Sequence, residues 1–300
     1  MANQRTGRNC LQAMIISIVT IILLWNCETP QAVDPYANWD YHGDFEYHAH
    51  TRANPEACKI LIIGNSLTYF NDQVIMLRDL ARGNHWRAFV DEISFPGVQL
   101  QHHCQDEYTL RKIKEQDWDF VILQEAVGEI GTSDGHEIIR EYVEILMDSI
   151  YSNYADTRIF YFMPWGLKSG TYMGFMTIDF ADHQMMLTEG TVEFAEKLDL
   201  MVAPVGQAWL EAMADSLEYD LFYTDGSHPS HYGSFLGAAV YFTAIFQDSL
   251  TDDSYSSERY VYLKNVAYAT VMDNLERWRI PVREDTTCWR LPCEDDLPPM

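Results

Sequence analysis

Short apolar runs repeated along the chain constrain its fold more than any other feature. They lie at 60–63, 120–123, 159–163 and 200–205. The runs lack the alternation of a strand with one wet face, so each predicts a strand that is buried on both faces. Between them lie stretches with apolar residues at helical spacing. Strands that alternate with helices in this way predict a parallel sheet with helices on both faces.

Further segments complete this pattern. Residues 86–93 predict another strand, and helices are predicted over 136–150, 188–198 and 234–246. Apolar residues spaced from 260 to 275 predict one more amphipathic helix. We therefore expect an α/β fold, a three-layer α/β/α sandwich around a central, mainly parallel sheet of about five strands.

The N-terminal segment has the pattern of an export signal. Arg5 and Arg8 precede an apolar run over 11–25, and the first acidic residue is Glu28. A bilayer span needs about 20 apolar residues, so a permanent anchor is the less favoured interpretation. We expect an exported protein that is secreted, periplasmic or lipid-anchored at the cell surface.

The ends of the chain leave two questions open. The run LWNC at 24–27 resembles a bacterial lipobox, and both a lipid anchor and plain secretion remain open. Cys288 and Cys293 are close enough in sequence to form a small disulfide loop, as an exported chain favours. The predicted organisation is a signal at 1–27, a linker and lead-in at 28–57, the α/β domain at 58–280 and an irregular tail at 281–300.

Charge and ligand spacing exclude some classes of partner. The formal net charge of −25 excludes a broad phosphate-binding surface and argues against a nucleic-acid partner. His48 and His50 lack a nearby third ligand, and the run HHC at 102–104 has no acidic ligand at a known spacing. We therefore expect no metal and no cofactor, while the oligomeric state stays open.

Polar residues follow several predicted strands at their carboxyl ends, where open parallel sheets bind ligands. Ser66 follows the first strand, Gly97 the second and Gln124 the third. A serine at a strand-to-helix junction can act as a nucleophile beside oriented N–H groups. Taken alone, Ser66 is better explained as a helix cap.

The run DGSH at 225–228 changes this balance. A hydrolytic serine needs an imidazole base, and that base needs a group that orients its other nitrogen. Asp225 and His228 are three residues apart in a glycine-containing turn, so the carboxylate can reach the imidazole. The alternative is a loop that only caps the next helix.

Together these blocks resemble the SGNH, or GDSL-like, hydrolase superfamily, in a branch often described only as a domain of unknown function. The resemblance spans about 58–247 and rests on IIGNSLT at 62–68, FPGV at 95–98, VAPVGQAW at 202–209 and DGSHP at 225–229. It implies the flavodoxin-like fold of that superfamily.

The resemblance also implies roles for individual residues. Ser66 would be the nucleophile, His228 the general base and Asp225 the residue that orients it. The N–H groups of Ser66 and Gly97 would form the oxyanion hole with a side-chain amide. The superfamily usually has asparagine there, and this chain has Gln124, which carries the same amide on a longer arm.

Other motifs are weaker candidates. The run GTSDG at 131–135 fits the serine elbow of α/β-hydrolases, but it does not directly follow a strand, and its acidic residues fit a helix start. Trp165 and Trp209 follow the fourth and fifth strands and are interpreted either as walls of a substrate pocket or as core residues.

The sequence therefore predicts a serine esterase that hydrolyses carboxylic esters through an acyl-enzyme on Ser66. A small-molecule or carbohydrate ester is the expected partner, with deacetylation of a carbohydrate as the specific hypothesis. A membrane would be contacted only through an N-terminal lipid anchor. The alternative is a non-catalytic glycan-binding or cell-surface module that retains the fold.

Overall fold

The structure is a computed structural model. It describes His42 and residues 53–126, 129–173, 176–215, 220–284 and 289–291. All of these except His42 belong to one compact unit, Asp44–Met300. The predicted signal, most of the linker and both cysteines of the predicted Cys288–Cys293 disulfide lie outside the described residues. None of the helices within these ranges has the length and apolar character needed to cross a bilayer.

One parallel sheet forms the centre of the unit. The strands in the described part of the chain are β1 Cys58–Gly64, β2 Ala88–Ser94, β3 Phe120–Leu123, β4 Arg158–Phe162, β5 Thr171–Met173, β6 Met176–Ile178 and β7 Met201–Ala203. The central sheet has the order β2-β1-β3-β4-β7, and β5 pairs antiparallel with β6. Strands β1, β3 and β7 are almost wholly buried, as their unbroken apolar runs predict.

Helices connect the strands and cover the sheet. They are α1 Ser66–Tyr69, α2 Gln73–Gly83, α3 Leu100–His103, α4 Glu107–Ile113, α5 Ser133–Asn153, α6 Phe180–Leu198, α7 Val205–Asp215, α8 His231–Phe246 and α9 Glu258–Met272. Helix α8 packs against α2, α7 and α9, while α5 packs against α3, α4 and α6. Every residue of α8 from Gly233 to Phe246 is buried, so this helix is a central part of the core.

The parallel register brings the carboxyl ends of three strands together. Ile63 in β1 lies opposite Ile93 in β2 and Leu123 in β3. Ser66, Gly97 and Gln124 follow these strands within a few residues, so they are held at the same edge of the sheet. The predicted α/β/α architecture and its five-stranded parallel sheet are confirmed.

Two local features differ from the sequence prediction. The predicted strand at 200–205 ends at Ala203, because Pro204 has no N–H for the strand ladder, and α7 begins at Val205. The β5–β6 hairpin before α6 was not predicted. In the tail, Leu291 donates its N–H to the His85 carbonyl at 2.7 Å, and the described residues of this segment form no helix or strand.

Candidate active site

Ser66 is the first residue of α1 and follows β1 after a single linking residue, Asn65. That residue has an extended backbone, and its side chain accepts a hydrogen bond from the Leu67 N–H at 3.1 Å. The helix cap is therefore Asn65 and not Ser66. The Ser66 N–H lies in the first turn, where no preceding carbonyl can accept it within the helix. Both the hydroxyl and the N–H of Ser66 are left for other partners.

A buried side-chain amide supports the segment 65–68, which we call the serine loop. The side chain of Gln124 is 1% exposed, and its Oε1 accepts from the Asn65 N–H at 2.8 Å and the Thr68 hydroxyl at 3.1 Å. Its Nε2 donates to the Glu125 carbonyl at 2.6 Å. Gly64 leaves room for this contact, because a Cβ there would lie 2.5 Å from Gln124 Oε1.

The orientation of Gln124 differs from the amide-donor role predicted for it. Its oxygen end meets the serine loop, its nitrogen end bonds to the backbone of the next residue, and it does not line the cavity above Ser66. The longer arm of glutamine, compared with asparagine, lets the amide fold back under the loop. In this geometry Gln124 supports the segment that carries Ser66 and does not face the cavity.

Gly97 lies in a tight turn beside Ser66. The turn is closed by the Val98 N–H, which donates to the Phe95 carbonyl at 3.3 Å, and Gly97 has a φ of 66°. Proline followed by a residue with positive φ is the pattern of a type II turn, which requires glycine here. Asn65 Nδ2 donates to the Val98 carbonyl at 2.9 Å and ties the turn to the serine loop. Ser66 and Gly97 line the same cavity, as the predicted pair of oxyanion donors must.

The loop before α8 brings the base to the serine. His228 Nε2 lies 2.9 Å from Ser66 Oγ, and its Nδ1 lies 2.7 Å from Asp225 Oδ2. The other carboxylate oxygen of Asp225 accepts from the N–H groups of Ser227 and His228 at 2.9 and 3.0 Å. Gly226, with a φ of 71°, permits this tight turn. The three predicted triad residues are thus brought together in one hydrogen-bonded chain.

Aromatic residues support this loop from two sides. The Phe70 ring stacks on the His228 imidazole, with centroids 4.3 Å apart and planes 14° apart. Trp165 Nε1 donates to the Ser227 carbonyl at 2.9 Å. Trp165 also stacks on Trp209 at 4.1 Å, and both indoles are fully buried. Of the two interpretations of these tryptophans, the core one is confirmed.

The electrostatics of the loop suit an oriented base. The Ser227 N–H hydrogen bond, followed by the bonds from His228, holds the pKa of Asp225 below its usual value. Asp225 is therefore ionised at neutral pH, so its oxygens only accept hydrogen bonds. That charge state requires the proton of a neutral His228 to be on Nδ1, which leaves Nε2 free to accept the Ser66 proton.

A cavity of about 300 Å³ opens above Ser66. Its lining comes from the three strand ends, from the DGSH loop, and from two segments that sequence reasoning missed, the loop after β4 and the start of α6. The lining residues are Asn65, Ser66, Leu67, Gly97, Ala126, Leu167, Thr171, His183, Ser227 and His228. No local motif marks Leu167, Thr171 or His183 in the sequence; only the three-dimensional fold brings them to Ser66.

Other sequence candidates lie elsewhere or have structural roles. Ser133 begins α5, and Thr132 caps that helix by accepting the Gly135 N–H at 3.1 Å, so this run is a helix start and not a nucleophile elbow. His103 is buried, with Nε2 donating to the Gly64 carbonyl at 2.8 Å. Among the residues that the structure describes, no cluster of histidine, cysteine or acidic side chains could hold a metal ion.

The chain is similar in structure to known SGNH-type proteins. A DUF4886 family protein from Bacteroides uniformis matches with a TM-score of 0.61 and 18% identity, covering 72% of this chain and 96% of that one. A protein described as a candidate SGNH hydrolase from Slackia heliotrinireducens matches with a TM-score of 0.51 and 26% identity, covering 62% and 97%. No family model and no curated protein matches the sequence.

These likenesses confirm the resemblance inferred from the sequence. The chain has the SGNH-hydrolase fold, of the kind seen in proteins described as domains of unknown function. The Slackia protein, which is described as a candidate SGNH hydrolase, supports hydrolase activity for this chain.

Proposed function

We propose that this protein is a serine esterase that hydrolyses carboxylic esters through an acyl-enzyme on Ser66. The observation that carries the proposal is the unbroken chain from Ser66 Oγ to His228 Nε2, at 2.9 Å, and from His228 Nδ1 to Asp225 Oδ2, at 2.7 Å. A non-catalytic module would have no need of this geometry. These two short distances therefore favour the enzyme over the glycan-binding alternative.

The reaction proceeds in two steps, the formation of the acyl-enzyme and its hydrolysis. Ser66 Oγ attacks the ester carbonyl carbon as its proton moves to His228 Nε2, and the resulting oxyanion accepts hydrogen bonds from the N–H groups of Ser66 and Gly97. The bond from carbon to the alcohol oxygen then breaks, and His228 returns the proton to the departing alcohol. In the second step a water molecule gives a proton to His228 and attacks the carbonyl carbon of the acyl-enzyme. The bond from that carbon to Ser66 Oγ breaks, His228 returns the proton to Ser66 Oγ, and the carboxylic acid is released.

The cavity supports a small, uncharged substrate. Leu67, Ala126 and Leu167 supply apolar lining, and a volume of about 300 Å³ is at the small end of ligand pockets. The net charge of −25 disfavours anionic substrates. We propose a short acyl group such as acetyl, carried by a carbohydrate, as the substrate. We also propose that the chain is exported, which N-terminal sequencing of the mature protein would test.

Labelling by a fluorophosphonate tests the nucleophile directly. We expect the probe to modify Ser66 in the native protein, as located by peptide mass spectrometry. Ser66→Ala should abolish labelling and lower turnover of 4-nitrophenyl acetate by at least about 10³-fold, because no other group takes over the attack.

Ser133→Ala is the matched control. It removes the serine of the competing GTSDG run, and we expect full labelling and turnover. Retained turnover in Ser66→Ala, or labelling that disappears in Ser133→Ala, would contradict the proposed function.

A further inference from the structure

A second histidine faces the cavity that contains Ser66 and His228. His183 lies in the first turn of α6, is 6% exposed and lines the cavity. Its Nδ1 is buried and has no hydrogen-bond partner among the described residues. A buried imidazole nitrogen without a partner is unusual in a folded protein. The proposed acyl-transfer steps do not use this side chain.

The position of the imidazole is set by close packing. A Cβ on Gly166 would lie 3.0 Å from His183 Nδ1, so the Nδ1 edge of the ring packs against a glycine. The Gly166 N–H donates to Gln184 Oε1 at 2.8 Å, which joins this loop to α6 beside His183. Because the Nδ1 edge packs against the protein, the Nε2 edge is the one that is available to a ligand in the cavity.

The charge and tautomer of His183 follow from its surroundings. Burial lowers its pKa, so the ring is neutral at neutral pH. A neutral imidazole carries its proton on one nitrogen. An N–H buried without an acceptor is costlier than a bare lone pair, so the proton belongs on Nε2. His183 then presents a single uncharged donor.

The loop that packs against His183 also contacts the DGSH loop, which carries the residue that protonates the departing alcohol. The loop before His183 is tied to the DGSH loop at two points: Lys168 N–H donates to the Gly226 carbonyl at 2.9 Å, and Trp165 Nε1 donates to the Ser227 carbonyl at 2.9 Å. The departing alcohol takes its proton from His228, so it lies beside that loop. Gly97, the predicted oxyanion donor, comes from a different strand end.

We propose that His183 Nε2, with the hydroxyl of Thr171 on the same lining, binds a hydroxyl or ether oxygen on the alcohol part of the ester. The favoured substrates would then be esters of polyhydroxylated alcohols, as in sugars, over esters of plain alcohols with the same acyl group. This inference rests on the proposed esterase function and names the part of the substrate that the enzyme selects.

A pair of matched acetates tests the inference. Cyclohexyl acetate and a monoacetylated xylopyranose share the acyl group and a six-membered ring, but only the second carries further oxygens. We expect His183→Phe to lower the ratio of kcat/KM for the sugar acetate to that for cyclohexyl acetate by about 10- to 100-fold, the scale for losing a buried hydrogen bond. His183→Gln, which keeps an N–H donor, should restore part of the ratio.

His136→Phe is the control for burial. His136 is also buried, with an unpartnered Nδ1, but it packs in α5 and does not line the cavity. This variant should keep the native ratio. The inference is overturned if His183→Phe leaves the ratio unchanged or if His136→Phe lowers it equally.

The same assay separates this inference from the proposed function. A native protein that hydrolyses neither acetate and does not react with the fluorophosphonate would overturn both. A native protein that is active and labelled, with a ratio insensitive to His183, would overturn only the role of His183. Fluorophosphonate labelling of Ser66 in His183→Phe, together with its melting temperature, checks that the variant is folded.

Discussion

The two halves of the candidate active site are held in different ways. The nucleophile half is buried: Asn65 is 3% exposed and Gln124 1% exposed, and their amides bond to the backbone of neighbouring strand ends. In the base half, the side chains of Asp225 and His228 are 42% and 30% exposed. That half depends on hydrogen bonds within one short turn and on contacts from Phe70 and Trp165.

Because of this difference, we expect mutations in the two halves to have different effects on stability and activity. A change in the buried half leaves polar groups without partners in the protein interior, so it should alter stability as well as activity. A change in the exposed half leaves its groups in contact with water, so it should alter activity with little effect on folding. Three experiments can contradict or refine this contrast.

Asp225→Asn should have the largest effect, and on turnover alone. The amide cannot stabilise the imidazolium and favours the wrong imidazole tautomer, so we expect kcat to fall on the order of 10²- to 10⁴-fold. The free energy of unfolding should change by less than about 1 kcal/mol, because the side chain is 42% exposed. Ester hydrolysis and urea denaturation measure the two quantities. A large loss of stability would contradict the contrast.

Gln124→Leu should lower both the free energy of unfolding and the turnover. Leucine has a similar volume but cannot accept from the Asn65 N–H or donate to the Glu125 carbonyl, so we expect about 2–4 kcal/mol of lost stability. Turnover should fall as well, because the serine loop loses its support. Gln105→Leu, at an exposed position, is the matched control and should change neither. If Gln124→Leu keeps native stability and loses only turnover, Gln124 acts on the substrate and not on the loop.

Glu92 should make a smaller contribution to the stability of the buried half, and this contribution should depend on pH. It lies on β2, two residues before Ser94, which is opposite Gly64 in the sheet, and burial raises its pKa from 4.5 to about 7. The unfolded chain then releases this proton at a lower pH than the folded protein does. The contribution of Glu92 to stability is thus most favourable below about pH 4.5 and is lost as the pH rises to about 7.

The size of this effect is about 3 kcal/mol, following the shift in the pKa. Melting temperatures measured from pH 4 to pH 8 should therefore fall less steeply in Glu92→Gln, which keeps a partner for the Ser94 hydroxyl. Identical slopes in the two proteins would remove Glu92 from the contrast between the halves.

The sequence predicts the central sheet and the meeting of Ser66, Asp225 and His228, for two different physical reasons. Strands buried on both faces need unbroken apolar runs, so the sequence identifies β1 and β3 directly. Ser66, Asp225 and His228 are recognisable because their chemistry requires specific residue types at strand ends and turns.

The rest of the site depends on contacts between distant segments. Whether the oxygen or the nitrogen of Gln124 faces the serine loop is decided by Asn65 and Thr68, which the strand pattern does not specify. His183 reaches the cavity only because the loop at Gly166 packs against α6. The β5–β6 hairpin is too short, at three residues a strand, for its periodicity to stand out.

The bond between Ser66 and His228 joins residues 162 positions apart in the chain. Closing so long a loop costs chain entropy, which the packing of α8 against α2, α7 and α9 offsets. The contact between Ser66 and His228 therefore depends on the long-range packing of the domain and not on local structure. A chain synthesised only as far as residue 227 contains Ser66 but lacks His228. Under the proposed mechanism, the reactivity of Ser66 would therefore report that these two distant segments have packed together.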